Sequence, residues 1–125
     1  MKIKSIHHVK LTVSDLSRSK AFYEQLPGFK LVAEYPDFIM FGAGDMNIGL
    51  TTHQAKRASE RFDEFSVGLD HLAFRVVGET GLVEAVDFLD TQKINRSEVK
   101  TLSNGVQIVT FRDPDNIQLE FAWKA

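Results

Sequence analysis

Between Ile6 and Val13, Val9, Leu11 and Val13 alternate with His8, Lys10 and Thr12, the period-two signature of a half-buried strand. Ser14 and Asp15 then supply cap-type side chains, and the apolar positions Ala21, Phe22 and Leu26 predict a helix over Leu16 to Leu26 that stops at Pro27-Gly28. Three short strands are predicted next, Phe29 to Tyr35, Phe38 to Phe41 and Asn47 to Thr52, separated by Pro36-Asp37 and by the run from Gly42 to Asp45. The first half therefore reads β-α-β-β-β. The polar stretch from His53 to Gly68 reads as a surface connection, after which the alternation restarts. Leu72, Phe74 and Val76 share one face of a strand over Leu69 to Val77, and His71, Ala73 and Arg75 share the other. A helix over Gly81 to Leu89 follows, then strands over Ile94 to Lys100, Val106 to Arg112 and Ile117 to Trp123, with turns at Ser103-Asn104-Gly105 and at Asp113-Pro114-Asp115-Asn116.

The second half thus repeats the first. His8 to Val13 aligns with His71 to Val76 at an offset of 71 − 8 = 63, and Ile48-Gly49-Leu50 aligns with Leu119-Glu120-Phe121 at 120 − 49 = 71. The expectation is an α+β fold with a mixed, mostly antiparallel sheet. It comprises a single domain over 1–125, built of two repeats, about 1–53 and 68–125, joined by a linker over 54–67.

Composition narrows the chemistry. The 125 residues are 43% hydrophobic and 26% charged, an ordinary globular balance for one domain. Fifteen Lys and Arg against seventeen Asp and Glu leave a formal charge of −2 and no basic block to gather nucleic acid. No apolar run is long enough to span a bilayer, and the start MKIKSIHHV has no secretory core, so a soluble, cytoplasmic protein without a membrane or nucleic-acid partner is expected. With no cysteine, disulfides and thiolate chemistry are excluded, and any metal must sit on His, Asp and Glu. A core of this size leaves little room for a deep pocket inside one domain, which favours pockets between halves or subunits.

The repeat places His8 and His71 at equivalent positions on the polar side of the opening strand, and Gly49 and Glu120 at equivalent positions on the last strand. A lone strand histidine is more often structural, and His7, facing the other way, reads as one. Two imidazoles and a carboxylate delivered to matching places are harder to dismiss. They match the ligand set of a divalent metal with open positions, zinc, manganese, iron or nickel, and Gly49 would leave room for substrate or water.

With those residues, the chain resembles the vicinal oxygen chelate superfamily, which holds glyoxalase I, fosfomycin- and bleomycin-resistance proteins, methylmalonyl-CoA epimerase and extradiol dioxygenases. The resemblance is carried by His8 to Leu16 running into Arg18 to Tyr23, by Gly28-Phe29, by Gly68 to Phe74 and by Asp113 to Glu120. It implies paired β-α-β-β-β units forming a half-open cup around a divalent metal, and a homodimer that completes the cups. His8, His71 and Glu120 fall on three of the family's ligand positions. The fourth, a Glu in glyoxalase I, is Gly49 here, and Thr12 stands where bacterial glyoxalase I has an arginine for glutathione. Both departures argue against an authentic glyoxalase I. The same two-His, one-Glu set serves fosfomycin thiol transferases and the extradiol dioxygenases, most of which are much longer.

Continuing the alternation, Lys10, Thr12, Asn47, Thr51, Arg75, Gln118 and Ala122 share the ligands' side; of these, Lys10, Thr12, Asn47, Arg75 and Gln118, together with Gly49, are the substrate-binding candidates. Lys10 and Arg75 either meet an anionic substrate or are solvated and ion-paired at a sheet edge, and Arg112 is a further cation that could face the cup. Phe111, Phe121 and Trp123 read as core, His53 as an exposed loop residue, and Asp113, Asp115 and Asn116 as turn formers. The expected function is metal-dependent catalysis on a small substrate with vicinal oxygens, of lyase, isomerase, thiol-transferase or dioxygenase type. Proton transfer would fall to a detached Glu120, to a metal-activated water or to a substrate group. The alternative is a metal-free drug- or small-molecule-binding protein of the bleomycin-resistance type.

Overall fold

The structure, a computed structural model, describes residues 1–53 and 59–125, so the expected linker over 54–67 lies partly outside the described residues. The chain clusters into two compact units, Met1–Glu60 and Arg61–Ala125. The first holds β1 (His8–Thr12), α1 (Leu16–Glu24), β2 (Phe29–Tyr35), β3 (Phe38–Ala43) and β4 (Met46–Thr51); the second holds β5 (Leu72–Arg75), α2 (Val83–Thr91), β6 (Lys100–Thr101), β7 (Gln107–Arg112) and β8 (Gln118–Trp123). Each forms a four-stranded sheet, in the orders β1-β4-β3-β2 and β5-β8-β7-β6. The opening strand of each unit runs parallel to the closing one, and the other pairings are antiparallel. This is the α+β glyoxalase-like architecture of two β-α-β-β-β modules expected from the repeat.

In the first unit the alternation sorts residues as read. Leu11, Ile39, Phe41, Ile48 and Leu50 are buried with Tyr23 and Leu26 of the helix region, whereas His8, Lys10 and Thr12 are exposed on the opposite side of β1. Asp15 is the N-cap of α1: its side chain accepts the Arg18 backbone N–H at 3.0 Å, satisfying a donor that the first turn cannot. Gly28, at φ 82°, takes the left-handed turn into β2, a conformation that favours glycine.

In the second unit, α2 buries Ala85 and Leu89, and the rings of Phe111 and Phe121 stack at 4.7 Å in the core. The Asp113 to Asn116 segment is a turn held by its own side chain, because Asp113 Oδ1 accepts the backbone N–H groups of Asp115 and Ile117, each at 2.8 Å. The strand expected over Ile94 to Lys100 is shorter, only Lys100–Thr101. Its first residues belong to the exit from α2: Ile94 N–H donates to the Leu89 carbonyl at 2.8 Å, and Arg96 grips Asp90 through two bonds of 2.7 and 3.0 Å. The chain pairs regularly with β7 only after those contacts end.

Candidate functional site

The register of β1 against β4 pairs His8 with Asn47, Lys10 with Gly49 and Thr12 with Thr51, so these residues share one side of the first sheet. In the second sheet Ala73 pairs with Glu120 and Arg75 with Ala122. His71 directly precedes β5 and stands on the Ala73 side of the alternation. Lys10 pairs with Gly49 as Ala73 pairs with Glu120, so the repeat alignment made from the sequence matches the hydrogen-bonded register.

Gly49 does not leave open room. A Cβ placed there would lie 3.0 Å from Phe38 Cε2 and 3.4 Å from Lys10 Cγ, and Gly49 is buried on the side of β4 that Phe38 and Lys10 cover. The Phe38 ring also carries the Lys10 ammonium 4.5 Å from its centre, a cation–π contact in place of an ion pair. Thr51 is committed as well, since its hydroxyl donates to the Asp37 carbonyl at 3.1 Å. Thr12 stays exposed and Asn47 half-buried.

In the second unit a polar chain runs along the sheet. Arg112 donates to both carboxylate oxygens of Glu64, at 2.8 and 2.9 Å. That bidentate pair holds the Glu64 carboxyl down at about 2, from an ordinary 4.5, and raises Arg112. Arg112 is therefore neutralised at short range rather than offered to a ligand. It also donates to Gln118 Oε1 at 3.2 Å, and Gln118 Nε2 donates to Asp70 Oδ1 and to the Asp70 carbonyl, at 3.1 and 3.2 Å. Asp70 Oδ1 in turn lies 2.6 Å from His71 Nδ1. An ionised carboxylate only accepts, so His71 donates from Nδ1, which leaves the Nε2 lone pair unused.

His7 does not turn away from its neighbour. Its Nδ1 lies 2.8 Å from His8 Nδ1, with the rings edge to face, because the chain at His7 has not yet entered the strand that would impose alternation. The Glu120 side chain makes no hydrogen bond or ion pair among the described residues. A carboxylate without a partner, and an imidazole just before β5 with Nε2 left open, are of the chemical types that a divalent cation takes as ligands. Among the described residues, no group of three or more His, Asp or Glu side chains stands close enough together to hold a metal ion. Of the residues that sequence reasoning left aside, Asp70 and Phe38 bear most on the site. Asp70 was signalled by its place directly before His71, as His7 stands before His8; Phe38 had no local signal.

The fold and these sites define a class. The family model described as glyoxalase/bleomycin resistance protein/dioxygenase superfamily matches residues 5–121, and the chain belongs to that superfamily. The chain is 31% identical, over 96% of its length and 97% of the relative's, to the uncharacterized protein YwkD of Bacillus subtilis (strain 168). Among solved structures it is similar to a glyoxylase/bleomycin resistance protein/dioxygenase domain from Frankia sp. EAN1pec. That match has 29% identity and a TM-score of 0.87, and covers 99% of this chain and 100% of the other. A glyoxalase family protein from Enterococcus faecalis matches with 27% identity and a TM-score of 0.80, covering 98% and 99%. Among the described residues, no helix is long and apolar enough to cross a membrane.

Proposed function

We propose that the chain is a divalent-metal-dependent enzyme acting on a small, oxygen-rich substrate, with His8, His71 and Glu120 as the metal ligands and a homodimer as the working form. The observation that carries this reading is the Glu120 carboxylate on β8, which no side chain neutralises or hydrogen-bonds among the described residues. Bound there, zinc, manganese, iron or nickel would act as a Lewis acid on adjacent substrate oxygens, the need shared by lyase, isomerase, thiol-transferase and dioxygenase chemistry. Lys10 supplies positive charge on the His8 side of β1 and Arg75 on the His71 side of β5, each suited to an anionic substrate. Thr12 and Asn47 add hydroxyl and amide groups beside Lys10 and His8, and Gln118 adds an amide that also holds Asp70. Gly49 contributes by lacking a carboxylate, so that Lys10 faces substrate without an anionic neighbour in its own strand pair.

The test is metal content by elemental analysis of untagged protein purified without chelator, beside Glu120→Ala and with the particle mass in solution. About one metal per chain, lost in Glu120→Ala, supports the enzyme and justifies screening vicinal diketones, thiol–epoxide transfers and catechols. No metal after supplementation with manganese, iron, nickel and zinc overturns it in favour of a metal-free binding protein of the bleomycin-resistance type.

A further inference from the structure

We infer that Asp70 is a positioning residue that fixes the tautomer of His71, holding its Nδ1–H so that Nε2 is the nitrogen offered outward. The 2.6 Å contact between His71 Nδ1 and Asp70 Oδ1 carries the inference. Adjacent residues at the mouth of a strand need not meet, and here the meeting is enforced from behind. Gln118 Nε2 donates to both the side chain and the carbonyl of Asp70, at 3.1 and 3.2 Å, which pins the carboxylate and its backbone together. Gln118 is itself oriented, because Arg112 donates to its Oε1 at 3.2 Å and so decides which end of the amide faces Asp70. Glu64 completes the series by fixing both Arg112 nitrogens, at 2.8 and 2.9 Å. Arg112 donates in both directions, Gln118 accepts from it and donates to Asp70, and the Asp70 carboxylate only accepts, so the proton of the contact sits on His71 Nδ1.

The repeat shows the same device in weaker form. Residue 7 is equivalent to residue 70 by the offset 70 − 7 = 63, and His7 also engages the Nδ1 of the histidine that follows it, at 2.8 Å. Two facing imidazole nitrogens can share the proton either way, whereas a carboxylate cannot donate. His71 is therefore the fixed histidine and His8 the adaptable one.

In its consequence for metal binding this inference rests on the function proposed above, but its first readout does not. Nitrogen-15 NMR of the ring nitrogens, with the His71 signals assigned by their absence in His71→Gln, reads the tautomer in metal-free protein in alkaline buffer. Wild type is expected with Nδ1 protonated and Nε2 bare. Asp70→Asn, whose Oδ1 still accepts, should keep that tautomer, and Asp70→Ala should return His71 toward Nε2–H. Asp70 is largely exposed, with 68% side-chain accessibility, so both variants should fold. Titration with zinc or manganese chloride should then show about 10- to 100-fold weaker binding in Asp70→Ala, with Asp70→Asn between. A wild-type His71 protonated at Nε2, or a tautomer unchanged in Asp70→Ala, overturns the inference. Absence of metal binding by wild type, with the tautomer as expected and lost in Asp70→Ala, overturns the metal reading while the positioning role stands.

Discussion

The contact between Gly49 and Phe38 can be tested as a double-mutant cycle. Gly49 sits inside β4 without a positive φ, so alanine fits the backbone and, by restricting the unfolded chain, contributes about 0.5–1 kcal/mol toward stability. Against this stands the added methyl, 3.0 Å from Phe38 Cε2, tighter than an ordinary contact, so that the ring must give by a few tenths of an ångström. Overpacking of this kind costs about 1–3 kcal/mol. The two effects sum to a net change between neutral and about 2.5 kcal/mol destabilising in the wild-type background. Removing the ring leaves only Lys10 Cγ at 3.4 Å, a contact a flexible stem can relieve. Gly49→Ala in a Phe38→Ala background should therefore be neutral or stabilising by up to about 1 kcal/mol, giving a coupling of about 1–3 kcal/mol. Urea unfolding followed by circular dichroism resolves this, since roughly 1 kcal/mol moves a midpoint by about 0.5 M at common slopes. If Gly49→Ala has the same effect with and without Phe38, the ring does not fill the space beside Gly49. A coupled pair would mean instead that the position is closed by packing.

Two further outcomes are expected. The Glu64 carboxyl is held down at about 2 by Arg112, below its ordinary 4.5, so the folded state binds fewer protons in that window. The pair's stabilisation is thus fully present above about 4.5 and fades as pH falls through about 2; Glu64→Gln should flatten the dependence of the urea midpoint on pH in that interval, and an unchanged slope would refute the assignment. Asp15→Ala should lower stability by about 1 kcal/mol and the melting temperature by a few degrees, with Asp15→Ser retaining most of it, because either side chain can accept the Arg18 N–H.

How much of this was legible in the chain depends on the range of the interaction. Period-two alternation is a property of neighbours, and it placed the opening strand of each module and the faces of Val9, Leu11, Leu72 and Phe74 without any tertiary knowledge. The repeat then matched Gly49 to Glu120, because two copies of one module must share a register for their cores to close. The cap at Asp15 and the Asp113 turn were legible for the same reason, each satisfying backbone groups within four residues. Local rules failed where the chain lies outside a regular strand. His7 lies outside the strand and its ring meets His8, and Arg96, joined to β7 by a single bridge to Phe111, also holds Asp90 at the end of α2.

The amino-acid sequence by itself determined the duplicated module, the strand faces and the placement of His8, His71 and Glu120 at matching positions, since each follows from short-range periodicity and turn chemistry. Tertiary structure alone decided what those positions experience. Phe38 reaches Gly49 from the neighbouring strand, Glu64 claims Arg112 across 48 residues of chain, and Gln118 holds Asp70 across another 48. Contacts at such separations depend on where folding brings two surfaces together, and no local pattern encodes which side chain will arrive.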